Sequence, residues 1–217
     1  MSGLALSYYY YPQYRWAKRL AQLLRRYLTP ATTVVDAPSG DGVISYWLLE
    51  SGRFSNPFEL YDRAPELIAK AAELRAVASG ELTIAQCDIG AIPIGDRTAD
   101  LWLLINSLYL LPDIDQLLNR MRPRFQTVVG VFPYLDRENY RRYLQFSERW
   151  DNANAMTDQQ TIDFFARHGY RLDHREDATF WSQFRWSFRG SRRLLNLLDP
   201  LAAHRPGNYW LAVFSRV

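Results

Sequence analysis

Hydrophobic and polar positions alternate along the chain in two patterns, one typical of strands and one of helices. The strand-like segments are short, rich in β-branched or aromatic residues and bounded by turn residues; they span 32–36, 57–62, 82–88, 100–106, 125–132, 169–176 and 208–217. The helix-like segments repeat apolar residues at the spacing of a helical face; they span 13–28, 43–52, 64–78, 112–121, 136–150 and 157–168. Because strands and helices alternate, the pattern predicts an α/β fold: a doubly wound, mostly parallel seven-stranded sheet with helices on both faces.

Two segments lie outside this alternation. Residues 1–30 precede the first strand, and we expect them to form an N-terminal helical cap or lid. Residues 178–206 are irregular and rich in Arg and aromatic residues, so they form an insertion before the last strand and a candidate substrate cap. Since this insertion lacks an ordinary crossover helix, we expect the last strand to be antiparallel. The prediction is a single domain, 1–217, with its core in 31–177 and 207–217.

Composition and length exclude several classes of protein. A chain of 217 residues, 48% hydrophobic and 23% charged, buries a core without disulfides and is not a disordered chain. With one cysteine, Cys87, and three histidines, we predict no metal site. No apolar stretch is long enough to span a membrane, and the N-terminus lacks the features of a signal peptide. We therefore predict a cytoplasmic protein without a membrane span.

Charge is distributed unevenly along the chain. Residues 1–120 carry 11 Lys and Arg against 13 Asp and Glu, whereas residues 121–217 carry 15 against 10, and all 15 are Arg. The excess in the second part is consistent with a solvated basic face. It is equally consistent with a site for carboxylate or phosphate, which the planar Arg side chain binds better than Lys does.

A glycine-containing turn follows the first predicted strand, with the sequence Val-Val-Asp-Ala-Pro-Ser-Gly-Asp-Gly over 34–42. Glycines let the backbone turn sharply and approach a ligand closely. The N-terminus of the next helix offers free N–H groups to an anionic ligand group. Two glycines also occur in turns that are only structural, so this motif alone leaves both roles open.

Polar residues follow each of the next three predicted strands. Asp62 ends the second strand about 20 residues after the glycines, where a carboxylate accepts hydrogen bonds from ribose hydroxyls; it also suits the N-cap of the helix at 64. Asp88 ends the third strand and either accepts from the exocyclic amine of an adenine or caps a turn. The segment 106–109, Asn-Ser-Leu-Tyr, follows the fourth strand at the same edge. Ligands of such sheets bind there, at the carboxyl ends of the strands.

In their order and spacing these motifs resemble the class I S-adenosylmethionine-dependent methyltransferases. The resemblance covers 32–177 and the last strand. One departure is Pro38, where the family often has its first glycine; proline fixes φ and is compatible with the turn. The resemblance implies S-adenosylmethionine as the cofactor, and it implies these cofactor-binding residues: Asp36, Pro38, Ser39, Gly40, Gly42, Asp62, Arg63, Asp88, Ile89 and Asn106. A dinucleotide site is the weaker interpretation, because the third glycine of its Gly-x-Gly-x-x-Gly motif is missing.

The activity that the resemblance implies is transfer of a methyl group from the sulfonium to an O, N, S or C nucleophile. Orientation and desolvation are then the protein's main contributions, and a general base is optional. His174 and Tyr109 are the candidate catalytic residues, although a lone histidine is more often structural. The candidate substrate-binding residues are Tyr8, Tyr11, Tyr109, Arg185 and Arg189.

The acceptor is less well specified than the donor. We favour a small molecule, because the chain has no separate RNA-binding module. RNA or protein methylation is the alternative, since segment 179–193 interleaves five aromatic residues with four Arg and contains no acidic residue. A third interpretation is a protein that binds the cofactor or a partner without catalysis. The sequence predicts no oligomeric state.

Overall fold

The computed structural model describes residues 19–134, except 53, 76, 77, 79, 94, 95, 99 and 112, together with 156–178 and 209–217. The strands are β1 (Val34–Asp36), β2 (Phe58–Asp62), β3 (Leu82–Gln86), β4 (Asp100–Ile105), β5 (Phe125–Pro133), β6 (Tyr170–Ala178) and β7 (Tyr209–Arg216). The helices are α1 (Val43–Gly52), α2 (Pro65–Arg75), α3 (Ile114–Met121) and α4 (Asp158–Arg167), with 3₁₀ turns at Ile89–Ala91 and Leu108–Leu110. The predicted helix 136–150 lies outside the described residues, as do residues 1–18 and nearly all of the insertion 178–206.

The strands form one seven-stranded sheet in the order β3-β2-β1-β4-β5-β7-β6. Neighbours from β3 to β5 are parallel, whereas β7 runs antiparallel to both β5 and β6. The predicted fold class, including the reversed last strand, is therefore confirmed. The order of strands reverses at β1, so the crevice between the carboxyl ends of β1 and β4 is the switch point where ligands of such sheets bind.

Helices cover both faces of the sheet, and a separate apolar core lies beneath each layer. One face packs against α1, α2 and the helical residues 19–24; its core includes Leu24, Leu48, Phe58, Leu103 and Val131. The other face packs against α3 and α4; its core includes Trp102, Leu118, Phe132, Phe165 and Trp210. Side chains alternate between the faces along each strand, and this is why the central strands read as continuous apolar runs.

Local sequence explains where two of the helices begin or end. Helix α4 begins at a capping box, in which the Thr157 side chain accepts from the Gln160 backbone and the Gln160 side chain accepts from the Thr157 backbone. The first helix is shorter than the predicted 13–28 at its C-terminal end, because the described helical residues stop at 24 and a turn follows. The Thr32 hydroxyl accepts from the Thr29 backbone N–H at 3.1 Å, so the chain has already left the helix before Pro30.

A buried group of charges fastens the amino ends of the strands, at the edge opposite the glycine turn. The Arg124 guanidinium donates to Asp100 at 2.6 Å and to Glu59 at 2.7 Å, and its side chain is 3% exposed. The Asp100 carboxylate also accepts from the Thr33 backbone N–H, and Arg97 reaches Glu59 from the surface. This ion network therefore connects the beginnings of β1, β2, β4 and β5.

Candidate functional site

The predicted glycine turn lies between β1 and α1, at the carboxyl edge of the sheet. Gly40 and Gly42 both have positive φ, +59° and +71°. A Cβ at Gly42 would lie 2.6 Å from the Leu60 side chain and 3.1 Å from Ala71 Cβ, whereas a Cβ at Gly40 would meet no atom within 4 Å. Gly42 is therefore required by packing against β2 and α2, and Gly40 leaves its backbone open to an approaching group.

Asp62 fastens this turn to the neighbouring strand. One of its carboxylate oxygens accepts from the Gly40 backbone N–H at 2.8 Å, and the other accepts from the Ala64 N–H at 2.9 Å. The residue is 7% exposed. Asp62 is not the N-cap of the helix after β2, because the Ala64 carbonyl accepts the first helical bond and Asp62 binds the N–H of that residue. The same carboxylate also holds the glycine turn in place.

Asp36 is a buried acid at the end of β1. It is 2% exposed, and one oxygen accepts from the Ser45 hydroxyl at 2.7 Å. Burial raises the pKa of Asp36 to about 7; the Ser45 hydrogen bond opposes this rise, and the charges of Asp62 and Asp41 add to it. Asp36 was expected at the site from the sequence, whereas Ser45 was not, because its only signal is a small polar residue in the first turn of an apolar helix.

The raised pKa of Asp36 makes stability depend on pH. The folded protein holds this proton up to about pH 7, whereas the unfolded chain releases it near the ordinary value of 3.8. The folded state therefore binds more protons in that window, and the Asp36 contribution to the free energy of unfolding falls as pH rises from 4 to 7. We expect Asp36→Asn to remove this slope in urea titrations across the window; an unchanged slope would contradict the assignment.

Asp88 and Ile89 border a cleft between the 3₁₀ turn and α3. The Asp88 side chain accepts from the Gly90 N–H at 2.8 Å and so caps the turn, as one of the two interpretations expected. Ile89 is 9% exposed. The cleft has a volume of about 480 Å³, and its remaining lining residues are Gly90, Asp113, Gln116, Leu117 and Arg120. The lining residues on α3 were not expected from the sequence, because only the tertiary fold brings that helix next to the end of β3.

Polar atoms without partners lie at the carboxyl ends of β1 and β4. Asn106 has φ +52°, a left-handed conformation that is unusual outside glycine. In the described part of the chain, Asn106 Oδ1, Ser107 Oγ and Ser39 Oγ are buried and have no hydrogen-bond partner. An unsatisfied buried polar group is costly and points to a ligand or an ordered water. Tyr109 is itself buried, 4% exposed, in the second 3₁₀ turn.

The structure does not bring every predicted residue to this edge. His174 lies in β6, four strands from β1 in the sheet order, which is roughly 19 Å at the usual inter-strand spacing. Its Nε2 is 3.4 Å from a Glu176 carboxylate oxygen. Arg63 follows β2 with an exposed side chain. Pro38 lies within the turn. The predicted substrate-binding residues Tyr8, Tyr11, Arg185 and Arg189 lie outside the described residues.

Comparison with known proteins identifies the class. Residues 28–142 match a family described as a methyltransferase domain. This match covers more than half of the chain, so the protein belongs to that family. Together with the strand order, it defines a class I, Rossmann-like S-adenosylmethionine-dependent methyltransferase. No curated protein matches the sequence.

Solved structures share the fold at low identity. Magnesium protoporphyrin IX methyltransferase from Synechocystis PCC 6803, with bound SAH, has a TM-score of 0.64 at 10% identity, over 100% of this chain and 89% of that one. A SAM-dependent methyltransferase from Aquifex aeolicus has a TM-score of 0.61 at 12% identity, over 89% and 87%. Mitomycin 7-O-methyltransferase has 0.62 at 16%, over 100% of this chain but 55% of that enzyme, so this chain spans about half its length.

None of the described helices is long and apolar enough to cross a bilayer. The predicted compartment stays a prediction.

Proposed function

We propose that the protein transfers a methyl group from S-adenosylmethionine to a small-molecule acceptor, at the carboxyl edge of β1 and β4. The observation that carries the proposal is the set of groups that lie together at the carboxyl edge of the sheet. The open backbone of Gly40 is hydrogen-bonded to Asp62, and the Asp88–Ile89 pair borders a cleft of about 480 Å³ at the same edge. These are the features that a nucleoside-containing ligand requires: acceptors for ribose hydroxyls, an apolar side chain for a base, and backbone open to close approach.

The residues present fit this cofactor. Each oxygen of the Asp62 carboxylate has two lone pairs, so its bonds to Gly40 and Ala64 leave capacity for the ribose hydroxyls. Asp88 and the buried Ile89 would hold the adenine, next to the cleft on α3. The buried Ser39 Oγ, which lacks a partner among the described residues, would bind a polar group of the methionine part.

Within this site the protein's role is to orient the reactants and exclude water. The sulfonium of the bound cofactor supplies an already activated methyl group. The chain therefore needs to hold the accepting atom in line, and this alone lowers the barrier substantially. Asn106 Oδ1 and Ser107 Oγ are buried polar atoms at the end of β4 without partners among the described residues. They would bind a polar group of the cofactor, as the resemblance implies for Asn106, or a hydroxyl or amine of the acceptor beside it. Tyr109, which follows them, remains the candidate base, and we do not include His174 because of its distance.

A small-molecule acceptor is the finer part of the proposal. Two proteins of similar fold, the mitomycin and the magnesium protoporphyrin IX methyltransferases, have names that give small organic acceptors. A substrate cap would be built from the segments outside the predicted core. The cap would come from 1–30, with Tyr8 and Tyr11, and from the insertion with Arg185 and Arg189.

RNA is the second candidate acceptor, because the insertion interleaves Arg with aromatic residues. The two candidates differ in what replacing Arg185 and Arg189 by Ala would do. With RNA, affinity should fall for all sequences and its dependence on salt should become less steep. With a small anionic acceptor, affinity should fall mainly in the variant that lacks the one Arg that forms a bidentate pair with it.

The test of the proposed function has two stages. Isothermal titration with S-adenosylmethionine and with S-adenosylhomocysteine should give saturable binding at a single site. Incubation with methyl-labelled cofactor and a cell extract, before and after ribonuclease treatment and size filtration, should then show label in the low-molecular-weight fraction. Label in RNA would instead favour the second candidate, and absence of cofactor binding would contradict the function itself.

Replacement of Asp62 by Ala should weaken S-adenosylmethionine binding by about 10–100-fold, since a hydrogen bond to a charged group contributes about 1.5–3 kcal/mol. The structure adds a second effect, because the variant also leaves the Gly40 and Ala64 N–H groups without their acceptor. We therefore expect a lower melting temperature as well. Calorimetry at a temperature where circular dichroism shows the variant folded separates the two effects. Unchanged affinity there would refute the ribose assignment.

A further inference from the structure

Three carboxylates converge on the glycine turn, and the most buried of them is Asp36. Its side chain lies under α1, and within the described residues its one hydrogen-bond donor is the Ser45 hydroxyl. The charged groups that act on it in the described part of the chain are Asp62, from the end of β2, and Asp41, from the turn. The two neighbouring strands place the apolar Leu60 and Leu103 opposite it in register.

No described cation compensates this carboxylate. An ionised acid that is 2% exposed, with one hydroxyl donor and two further acids acting on it, loses more by desolvation and repulsion than a single hydrogen bond returns. The protonated form is the one this environment favours. The raised pKa of Asp36, about 7, agrees with this geometry.

S-adenosylmethionine carries a sulfonium and an ammonium against one carboxylate, so it brings a net positive charge to this turn. We propose that Asp36 holds a proton in the cofactor-free protein and releases it to solvent when S-adenosylmethionine binds. The inference rests on the proposed function. The bond that breaks is the carboxyl O–H of Asp36, its proton goes to the buffer, and the positive charge of the ligand offsets the carboxylate that remains.

Proton release has a direct consequence for affinity. Below the pKa of Asp36 the ligand must displace a bound proton, so affinity should rise up to about tenfold for each pH unit. Above that pKa the carboxylate is already ionised, and affinity should level off. The site is thus selective for a cationic ligand, and this selectivity increases as pH rises through 7.

The test is calorimetric titration of the whole protein with S-adenosylmethionine at pH 7 in phosphate and in Tris. These buffers differ in their heat of protonation, and the difference in binding heat counts the protons released. We expect about half a proton per cofactor for the native protein and none for Asp36→Asn, which keeps a carbonyl oxygen for the Ser45 hydroxyl. Equal heats in the two buffers for the native protein, or equal proton release by both proteins, would overturn the proposal.

A second variant keeps the test decisive if Asp36→Asn does not fold. Ser45→Ala removes the hydrogen bond that favours the ionised acid, so the pH at which affinity levels off should move upward; an unmoved midpoint would overturn the proposal. A native protein that binds no S-adenosylmethionine at any pH contradicts the proposed function. Binding without proton release contradicts only the inference about Asp36.

Discussion

Replacing Arg124 by Met is expected to lower the free energy of unfolding by about 3–5 kcal/mol. The substitution leaves Asp100, whose side chain is 1% exposed, as a buried carboxylate without its cation. It also removes one partner of Glu59. Burial alone would raise the pKa of Glu59, but the hydrogen bond and charge of Arg124, with Tyr61 and Arg97, hold it below its ordinary value. Urea denaturation followed by circular dichroism measures the loss.

Arg97→Met is the matched control, because Arg97 touches the same Glu59 from a side chain that is 53% exposed. We expect a loss of at most about 1 kcal/mol, as for other exposed pairs. Adding Asp100→Asn to Arg124→Met should restore part of the stability, since it removes the uncompensated charge and keeps an acceptor for the Thr33 N–H. If Arg124→Met and Arg97→Met lose the same free energy of unfolding, burial does not explain how much each Arg contributes to stability.

Gly40→Val is expected to reduce S-adenosylmethionine affinity about 100-fold or more, which corresponds to about 2.7 kcal/mol. A Cβ added at Gly40 meets no protein atom within 4 Å, and a branched side chain there would project where the cofactor would approach. The positive φ of +59° adds strain of about 1–2 kcal/mol to the folded state. Calorimetric titration of the folded variant measures the affinity.

Gly42→Ala should affect the stability of the protein more than its affinity for the cofactor. Its Cβ would lie 2.6 Å from Leu60 and 3.1 Å from Ala71, both in the core between α2 and β2. We expect a loss of stability of about 1–3 kcal/mol from overpacking, to which the positive φ of +71° adds strain, and a smaller loss of affinity than in Gly40→Val. A Gly40→Val protein that folds and binds normally would show that the turn is structural only.

Much of the fold could be predicted because it follows from local regularities. Short segments bounded by turn residues, most of them rich in β-branched or aromatic residues, locate the seven described strands to within a few residues. The capping pair Thr157 and Gln160 marks the beginning of α4. The end of the first helix could not be predicted, because the backbone changes to i→i−3 hydrogen bonds at Arg26 and Tyr27 directly after Leu24. Helical periodicity continues past that point and carries no information about it.

The site divides in the same way. Position at the end of a strand identified Asp36, Asp62 and Asp88, because parallel strands bring their carboxyl ends to one edge. His174 was a candidate only as a histidine that could act as a base, and the order of strands places β6 at the far edge of the sheet. A residue's distance from the switch point depends on strand order, which a sequence pattern does not contain.

The sequence by itself determined the alternation of elements, the two-sided burial of the central strands and the motifs that define a methyltransferase. Each of these is a property of neighbouring residues or of a repeat along the chain. Only the tertiary structure decided the burial, the hydrogen-bond partners and the charge pairing of individual side chains. It buried Asp36 against Ser45, used both oxygens of Asp62 for backbone N–H groups, and joined Arg124 to two distant carboxylates. Burial, hydrogen bonding and charge pairing depend on residues far apart in sequence, so these properties exist only once the chain has folded.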